Sequence, residues 1–433
     1  MAEGQGMSAL ARRALLAIGV GTALSLAGDA TLYAVLPAHA HLVGLQAAQL
    51  GLILSLNRWV RIGTNTPAGF LFDRLSHRRL YLAGLWLGIL PTVGYALGQG
   101  PGILLASRAL WGCCWSLILV GGYAVILETT TEATRGRATG AFQMAYFAGG
   151  GLGTLLGGVL ADLLGFRPAF WGCALVNLVG ALVATALLPE TNAASRRLEP
   201  NALGELLRAG ADDVASLLPW LARWWAGLRQ GWSLRGRHAS PLVVGAAVNF
   251  VAYLVTNGIL MATLSYFLQQ RWGQEATLGS RVVGIATVSG ALLASRSAFS
   301  IVLAPLAGRL SDRLGKRRGL AGAGLLLEAA GFGVLASPLS MALGGVALGV
   351  ALVASGGGLL APTLTAWVAD RAKGNWQSVA MGVYATAADL GSAAGPLVAY
   401  GLVERTSLTA PYLLAAGAVA AAALLLWGTR DAR

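Results

Sequence analysis

Roughly twelve runs of apolar residues, each long enough to cross a bilayer as a helix, leave this chain few ways to fold. A helix needs about 20 apolar residues to span the hydrocarbon core. Runs of that length fall at 14–37, 44–70, 79–98, 101–127, 138–163, 168–189, 241–268, 282–309, 319–337, 340–369, 378–402 and 409–428. A length of 433 residues would also suit two soluble domains, but composition argues against that. Hydrophobic residues make up 56% of the chain and charged residues 11%, about half the charged fraction of an ordinary soluble protein. The 60 glycines fit the same reading, because small residues let membrane helices approach closely. The expected fold is an all-α integral membrane protein with twelve transmembrane helices. Cys113, Cys114 and Cys173 fall inside the runs and read as small packing residues, with neither a disulfide framework nor metal-ligand spacing.

The net charge of +13 could suggest a nucleic-acid partner, but its distribution points to a membrane. With the N-terminus inside, 23 of the 31 Lys and Arg residues lie on the cytoplasmic side. Only Arg167, Arg271, Arg281 and Arg405 fall outside, and Arg58, Arg61, Arg108 and Arg296 lie within runs. This positive-inside bias predicts both termini in the cytoplasm. The first run is span-length and lacks a small-residue cleavage pattern, so no cleavable signal peptide is expected. Residues 190–240 form the one long loop. Its Leu, Trp and Arg residues recur at roughly helical spacing, which suits an amphipathic helix on the membrane surface or a tether between two halves. Pro219 would break or kink a single long helix there.

One string occurs twice. "GFLFDRLSHRR" stands at 69–79 and "GRLSDRLGKRR" at 308–318. A shift of 239 residues places Gly69 on Gly308, Asp73 on Asp312, Arg74 on Arg313, and Arg78-Arg79 on Arg317-Arg318. A shift of 238 places "LGTLLGGVLA" at 152–161 on "LGSAAGPLVA" at 390–399. Two distant segments agreeing on the offset to within one residue predict a duplication: residues 1–189 as a first six-helix half, 190–240 as a cytoplasmic loop, and 241–433 as a second half. Parallel repeats of this kind place a substrate site near the midplane, between the halves.

With these motifs the chain resembles the major facilitator superfamily of transporters along essentially its whole length. The family's loop signature is Gly, three residues, Asp-Arg, one residue, Gly, then basic residues. The first copy keeps Gly69, Asp73, Arg74, Arg78 and Arg79, with Ser76 in place of the second glycine; the second copy keeps Gly308, Asp312, Arg313, Gly315, Lys316, Arg317 and Arg318. Asp73 can pair with Arg74 or Arg78, or face the positive N-terminal end of another helix. The resemblance implies that such contacts act as a conformational switch, with helix 11 as the partner, whereas the arginines could equally serve topology alone.

Two further segments resemble signatures of the drug:proton antiporter branch. Helix 4 carries Arg108 and Gly112 in an Arg, two residues, Gln, Gly pattern, with Trp111 in place of the Gln. Helix 5 carries Gly140, Gly149, Gly153, Gly157 and Gly158 at the branch's glycine positions, with Thr154 where the branch has proline. Close packing through small residues also explains these glycines.

Charges inside spans are expensive and are functional candidates by default. Asp29 in helix 1 is expected to carry the coupling proton, with Arg108 modulating it and Asp389 in helix 11 as a second titrating site; a buried structural ion pair is the alternative for Asp29. Arg58 and Arg61 cap helix 2, contact lipid phosphate or face the cavity, and Arg296 could supply the substrate's counter-charge. Glu328, on a helix that the resemblance turns toward lipid or scaffold, reads as structural. The resemblance places helices 1, 4, 7 and 10 around the cavity, which makes Tyr33, Trp111, Trp115, Asn249, Tyr253 and Asn257 candidate substrate contacts.

No enzyme chemistry, metal site or cofactor-binding pattern is expected: His is scarce, with four residues, and no phosphate-cradling Gly-Lys-Ser loop is present. The expected function is proton-coupled export of small, drug-like or metabolite molecules across a bacterial cytoplasmic membrane. The expected partners are a small-molecule substrate, protons and membrane lipids, with no nucleic acid and the chain acting as a monomer. An importer of an organic anion, a transporter of lipids or lipid-linked solutes, and a receptor without flux remain as alternatives.

Overall fold

Without water to bond to, a backbone inside a bilayer has to satisfy its own N–H and C=O groups, and it does so here as helix after helix. The computed structural model describes residues 7–190, 241–278, 280–372 and 377–429. Its long helices are α1 (Ala9–Val35), α2 (Ala47–Arg74), α3 (His77–Leu97), α4 (Pro101–Thr129), α5 (Glu132–Leu164) and α6 (Phe166–Leu187), followed by α7 (Pro241–Trp272), α8 (Ile285–Leu314), α9 (Arg317–Ala336), α10 (Leu343–Arg371), α11 (Gln377–Arg405) and α12 (Ala410–Gly428). Ten are long and apolar enough to cross a membrane by length and composition. The other two, α2 and α11, run 28 and 29 residues, or roughly 42 Å at 1.5 Å per residue, and carry the polar cargo described below. The surface helix expected within 190–240 lies at residues outside those described.

The helices overrun the apolar runs where charge can reach the interface. α2 continues to Arg74, α5 begins at Glu132 and α8 continues to Leu314. Two features had no sequence signal. A short antiparallel hairpin, β1 (Glu275–Leu278) with β2 (Arg281–Gly284), joins α7 to α8. Within α7, residues Leu254–Leu260 form a π-helical segment. Its Gly258 packs against Gly395 of α11 so closely that a Cβ there would lie 2.6 Å from the Gly395 Cα.

α1 packs on α5 and α6, α2 on α4, α9 on α10 and α12, and α7 on α11. Two extensive crossings join the first six helices to the last six, α2 with α11 and α5 with α8, and α1 also touches α7 and α8. Leucines such as Leu163 and Leu424 face outward, 75% and 69% exposed, as a bilayer solvent requires.

The contacts between the two sets gather at the end of the bundle away from the basic loops. Ser265 and Ser289 both donate to the Ala34 carbonyl, at 2.5 and 2.9 Å. The Thr287 N–H donates to Asp162 Oδ2 at 2.6 Å, the Ala48 N–H to Glu404 Oε1 at 2.6 Å, and Gln274 to the Ala38 carbonyl at 3.1 Å. There α5 and α8 touch backbone to backbone, Gly158 against Ala286 and Gly290 against Thr154. At the basic end Gly69, Gly140 and Gly308 face open space, and Asp73 and Arg313 are exposed. Among the described residues the bundle is therefore closed at one end and parted at the other.

Candidate functional site

Toward the closed end, charged side chains are held inside the bundle, where burial makes them costly. Asp29 on α1 forms an ion pair with Nη1 of Arg108 on α4. The Arg108 side chain is wholly buried, whereas Asp29 retains 14% exposure. The rest of the guanidinium is spent on neighbours. Its Nε donates to the Ile53 carbonyl at 3.0 Å, and Nη2 donates to the Tyr33 hydroxyl at 2.9 Å and the Leu54 carbonyl at 3.3 Å. The Tyr33 hydroxyl itself donates to Leu54 at 3.2 Å, and its ring lies 5.3 Å from the guanidinium carbon. A buried cation survives only with its donors satisfied in this way, so this cluster ties α1, α2 and α4 together.

A second pair crosses between the sets. Arg61 on α2 meets Asp389 on α11 at 3.3 Å, with 14% and 25% of the two side chains exposed. The structure thus brings together Asp29 with Arg108 and Tyr33, and Asp389 with Arg61.

Arg58 on α2 and Arg296 on α8 are both half-buried and form neither of these ion pairs, although Arg58 borders the first cluster, with Tyr33 as a hydrogen-bonding neighbour and Asp29 acting on it electrostatically. Arg58 Nε has no hydrogen-bond partner among the described residues, and Arg296 reaches only the Met261 sulfur at 4.0 Å. Tyr146 is an electrostatic neighbour of both arginines, and Tyr253 of Arg296. Sequence reasoning passed over Tyr146, although "FQMAYFAGGG" places it seven residues before Gly153 on the glycine helix. Its ring lies 5.6 Å from Trp115 and 5.1 Å from Phe147.

The other candidates take quieter places. Trp111 and Trp115 are 2% and 4% exposed, 5.7 Å apart, inside the packing of the first six helices. Asn249 is buried and donates to the Tyr384 carbonyl at 2.8 Å. Asn257 lies on the π-helical segment of α7. Glu328, 1% exposed on α9, sits beneath Gly356 and Gly357 of α10, and its Oε2 has no partner among the described residues.

The repeated loop motif differs between its copies. In the first, Asp73 is exposed and forms no ion pair or hydrogen bond among the described residues. Arg78 turns away from it, donating to the Leu188 and Thr185 carbonyls at 2.7 and 2.9 Å and lying 3.8 Å from Glu190. In the second, Arg317 pairs with Asp312 at 3.2 Å and Asp370 at 2.9 Å. The Ser76 departure has a local cause. Gly315 ends α8 at φ +62°, in the left-handed region that favours glycine. Ser76 sits at φ −57° as the N-cap of α3, accepting from Arg79 N–H at 3.3 Å and donating to Glu190 at 2.6 Å.

The helix-5 glycines serve two neighbours. Gly149, Gly153 and Gly157 press on Ala23, Ala27 with Ala30, and Thr31 of α1, while Gly158 presses on α8 and Gly140 faces open space. α5 runs unbroken past Thr154, whose hydroxyl donates to the Gly151 carbonyl at 2.8 Å.

A sequence profile described as Major Facilitator Superfamily matches residues 18–296 and 246–433. A multidrug resistance protein, MdtG, of Escherichia coli O17:K52:H18 is 24% identical over 370 residues, covering 83% of this chain and 79% of that protein. A class G tetracycline resistance protein of Vibrio anguillarum is 28% identical over 353 residues, covering 81% and 79%. The chain also spans 21% and 38% of the length of two larger mycobacterial proteins described as uncharacterized MFS-type transporters. Among solved structures, a peptide transporter POT variant in complex with alafosfalin superposes with a TM-score of 0.74 at 18% identity, covering 95% of this chain and 93% of that one.

Proposed function

Since the chain belongs to the major facilitator superfamily of membrane transporters, which are not enzymes, we propose that it exports small molecules by proton-coupled alternating access. The membrane would be a bacterial cytoplasmic one, with both chain ends on the cytoplasmic side, as the basic loops suggest. Residues 1–189 and 241–433 would be the two moving halves. The observation that carries this reading is the Asp29–Arg108 pair at mid-membrane.

An aspartate bonded to a guanidinium carries its charge at tolerable cost. The same aspartate without that partner sheds the cost of buried charge by taking a proton. In the outer-closed arrangement described above, Asp29 is paired, which suits a proton already released toward the cytoplasm. The opposite arrangement, with Asp29 parted from Arg108, would load a proton from outside. Arg61–Asp389 spans the two sets and would break and re-form as they rock, as would the contacts of Asp73 with helix 11. Relatives named for multidrug and tetracycline resistance support an exporting direction.

Inverted membrane vesicles containing the protein test this directly. Acidifying their lumen should drive uptake of at least one solute from a mixed library of drug-like and metabolite molecules, and nigericin should abolish it. Uptake that persists after the proton gradient collapses would point to a uniporter.

A further inference from the structure

We propose that the transported solute bears a carboxylate and that Arg58 and Arg296, assisted by Tyr146 and Tyr253, bind it. This names the substrate class within the transport reading above and rests on it. The four arginines inside the spans fall into two kinds. Arg108 has Asp29 and Arg61 has Asp389. Arg58 and Arg296 have no carboxylate at ion-pair distance among the described residues: Arg58 has Tyr33 as a hydrogen-bonding neighbour and feels Asp29 at longer range but keeps an unpartnered Nε, and Arg296 meets a sulfur at 4.0 Å.

The two spare arginines lie at neighbouring repeat positions. They stand 238 residues apart, on α2 and α8, one residue short of the 239 offset that superimposes the loop motif carried by the same two helices. Each set of six helices contributes one arginine to this pair. Arg58 is among the groups acting electrostatically on Arg296, as are Tyr146 from the first set and Tyr253 from the second. Asp389 acts on Tyr253 but is already engaged with Arg61. Glu328 acts on Arg296 from α9, beyond ion-pair distance.

Two like charges facing each other at mid-membrane repel and are costly to keep there. An anion placed between them relieves both. Guanidinium forks match the planar carboxylate in a bidentate manner, and tyrosine hydroxyls can donate to its remaining lone pairs. Tyr146 also opens the aromatic row formed with Trp115 and Phe147, which suits an aromatic body behind the carboxylate. A cationic solute would meet repulsion from both guanidinium groups at this point.

The test uses the full chain in lipid nanodiscs and isothermal titration calorimetry. Benzoate, phthalate and citrate are the carboxylate probes; benzamide and benzylamine are their uncharged and cationic counterparts; inorganic phosphate and chloride are the small anions. At least one carboxylate should bind while benzamide and benzylamine do not. Arg58→Gln and Arg296→Gln should each weaken that binding by about tenfold to a hundredfold, the worth of lost charge-assisted hydrogen bonds, and Arg58→Lys by less. Melting curves of the unliganded variants verify that each is folded. The proposal is overturned by any of four results: no carboxylate binding, equal binding of benzylamine, binding confined to phosphate or chloride, or wild-type affinity in both glutamine variants. Carboxylate binding that depends on both arginines, without flux in proteoliposomes, would retain the site and sink the transport reading instead.

Discussion

Substituting Gly158 by valine should push the closed end of the bundle apart. A Cβ on Gly158 would collide with the Ala286 carbonyl oxygen and lie 2.7 Å from its carbon and 3.1 Å from the Thr287 nitrogen. These are backbone atoms, so no side chain can rotate away. On the same crossing, Gly290 is held against Thr154 just as tightly, which leaves α8 no room to slide. Overpacking of this kind costs about 1–3 kcal/mol. Valine's slightly better helix propensity applies in both conformations and cancels. At about 1.4 kcal/mol per tenfold, the equilibrium should move roughly fivefold to a hundredfold away from the arrangement described here. The assay is a spin-label distance between positions 140 and 308 at the basic end, in a background without Cys113, Cys114 and Cys173. Both label positions face open space. Gly158→Val should enlarge the short-distance population, as the parted end closes. Gly150→Val, also on α5 but facing open space, should not. Identical distance distributions for the two variants would refute the reasoning.

Three further outcomes follow. Arg108→Gln alone should destabilise the protein by about 3–5 kcal/mol, the cost of stranding a buried charge, whereas the double variant Asp29→Asn/Arg108→Gln should recover part of that in thermal melts, a non-additivity expected of direct partners. Burial pushes the His39 imidazole below its ordinary value of 6.5, against the opposing pull of the Val35 carbonyl and Asp162; the unfolded chain then binds the proton first, so stability should be full above about pH 6.5 and fall as the pH drops through it, and His39→Gln should flatten that slope in melting temperature against pH. Gly315→Ala should cost about 1–2 kcal/mol because φ is +62° there, and Ser76→Gly should cost about 1 kcal/mol, since glycine is a fair N-cap but the bond to Glu190 is lost; chemical denaturation of each variant measures the loss.

The membrane fold was legible because the bilayer imposes a single rule, long apolar helices, and ten of the described helices obey it outright, while α2 and α11 are long enough but carry more polar residues. The boundaries were less so, since helices such as α2 and α8 run on into charged residues once they reach the interface. The hairpin at 275–284 and the π-helical segment at 254–260 had no local signature; the second reflects a tertiary approach of Gly258 to Gly395 that one helix's sequence cannot announce. At the site, a charge inside a span is visible at once, so Asp29, Arg58, Arg61, Arg108, Arg296 and Asp389 could all be named. Which carboxylate meets which arginine could only come from the packing: Asp29 with Arg108 joins α1 to α4, and Arg61 with Asp389 joins residues 328 apart. Tyr146 was missed because a tyrosine beside Phe147 on a glycine-rich helix reads as packing. Only its position near Arg58 and Arg296 gives it a further meaning.

Coupling through Asp29 is the centre of this account, and proton movement in proteoliposomes reads it most directly. Wild type and Asp29→Asn, matched for folded protein, would be reconstituted around a trapped pH-sensitive dye and challenged with a mixed solute library. Solute-evoked proton flux in the wild type that vanishes in Asp29→Asn is the predicted result. Solute flux that survives both the substitution and a collapsed gradient would contradict it.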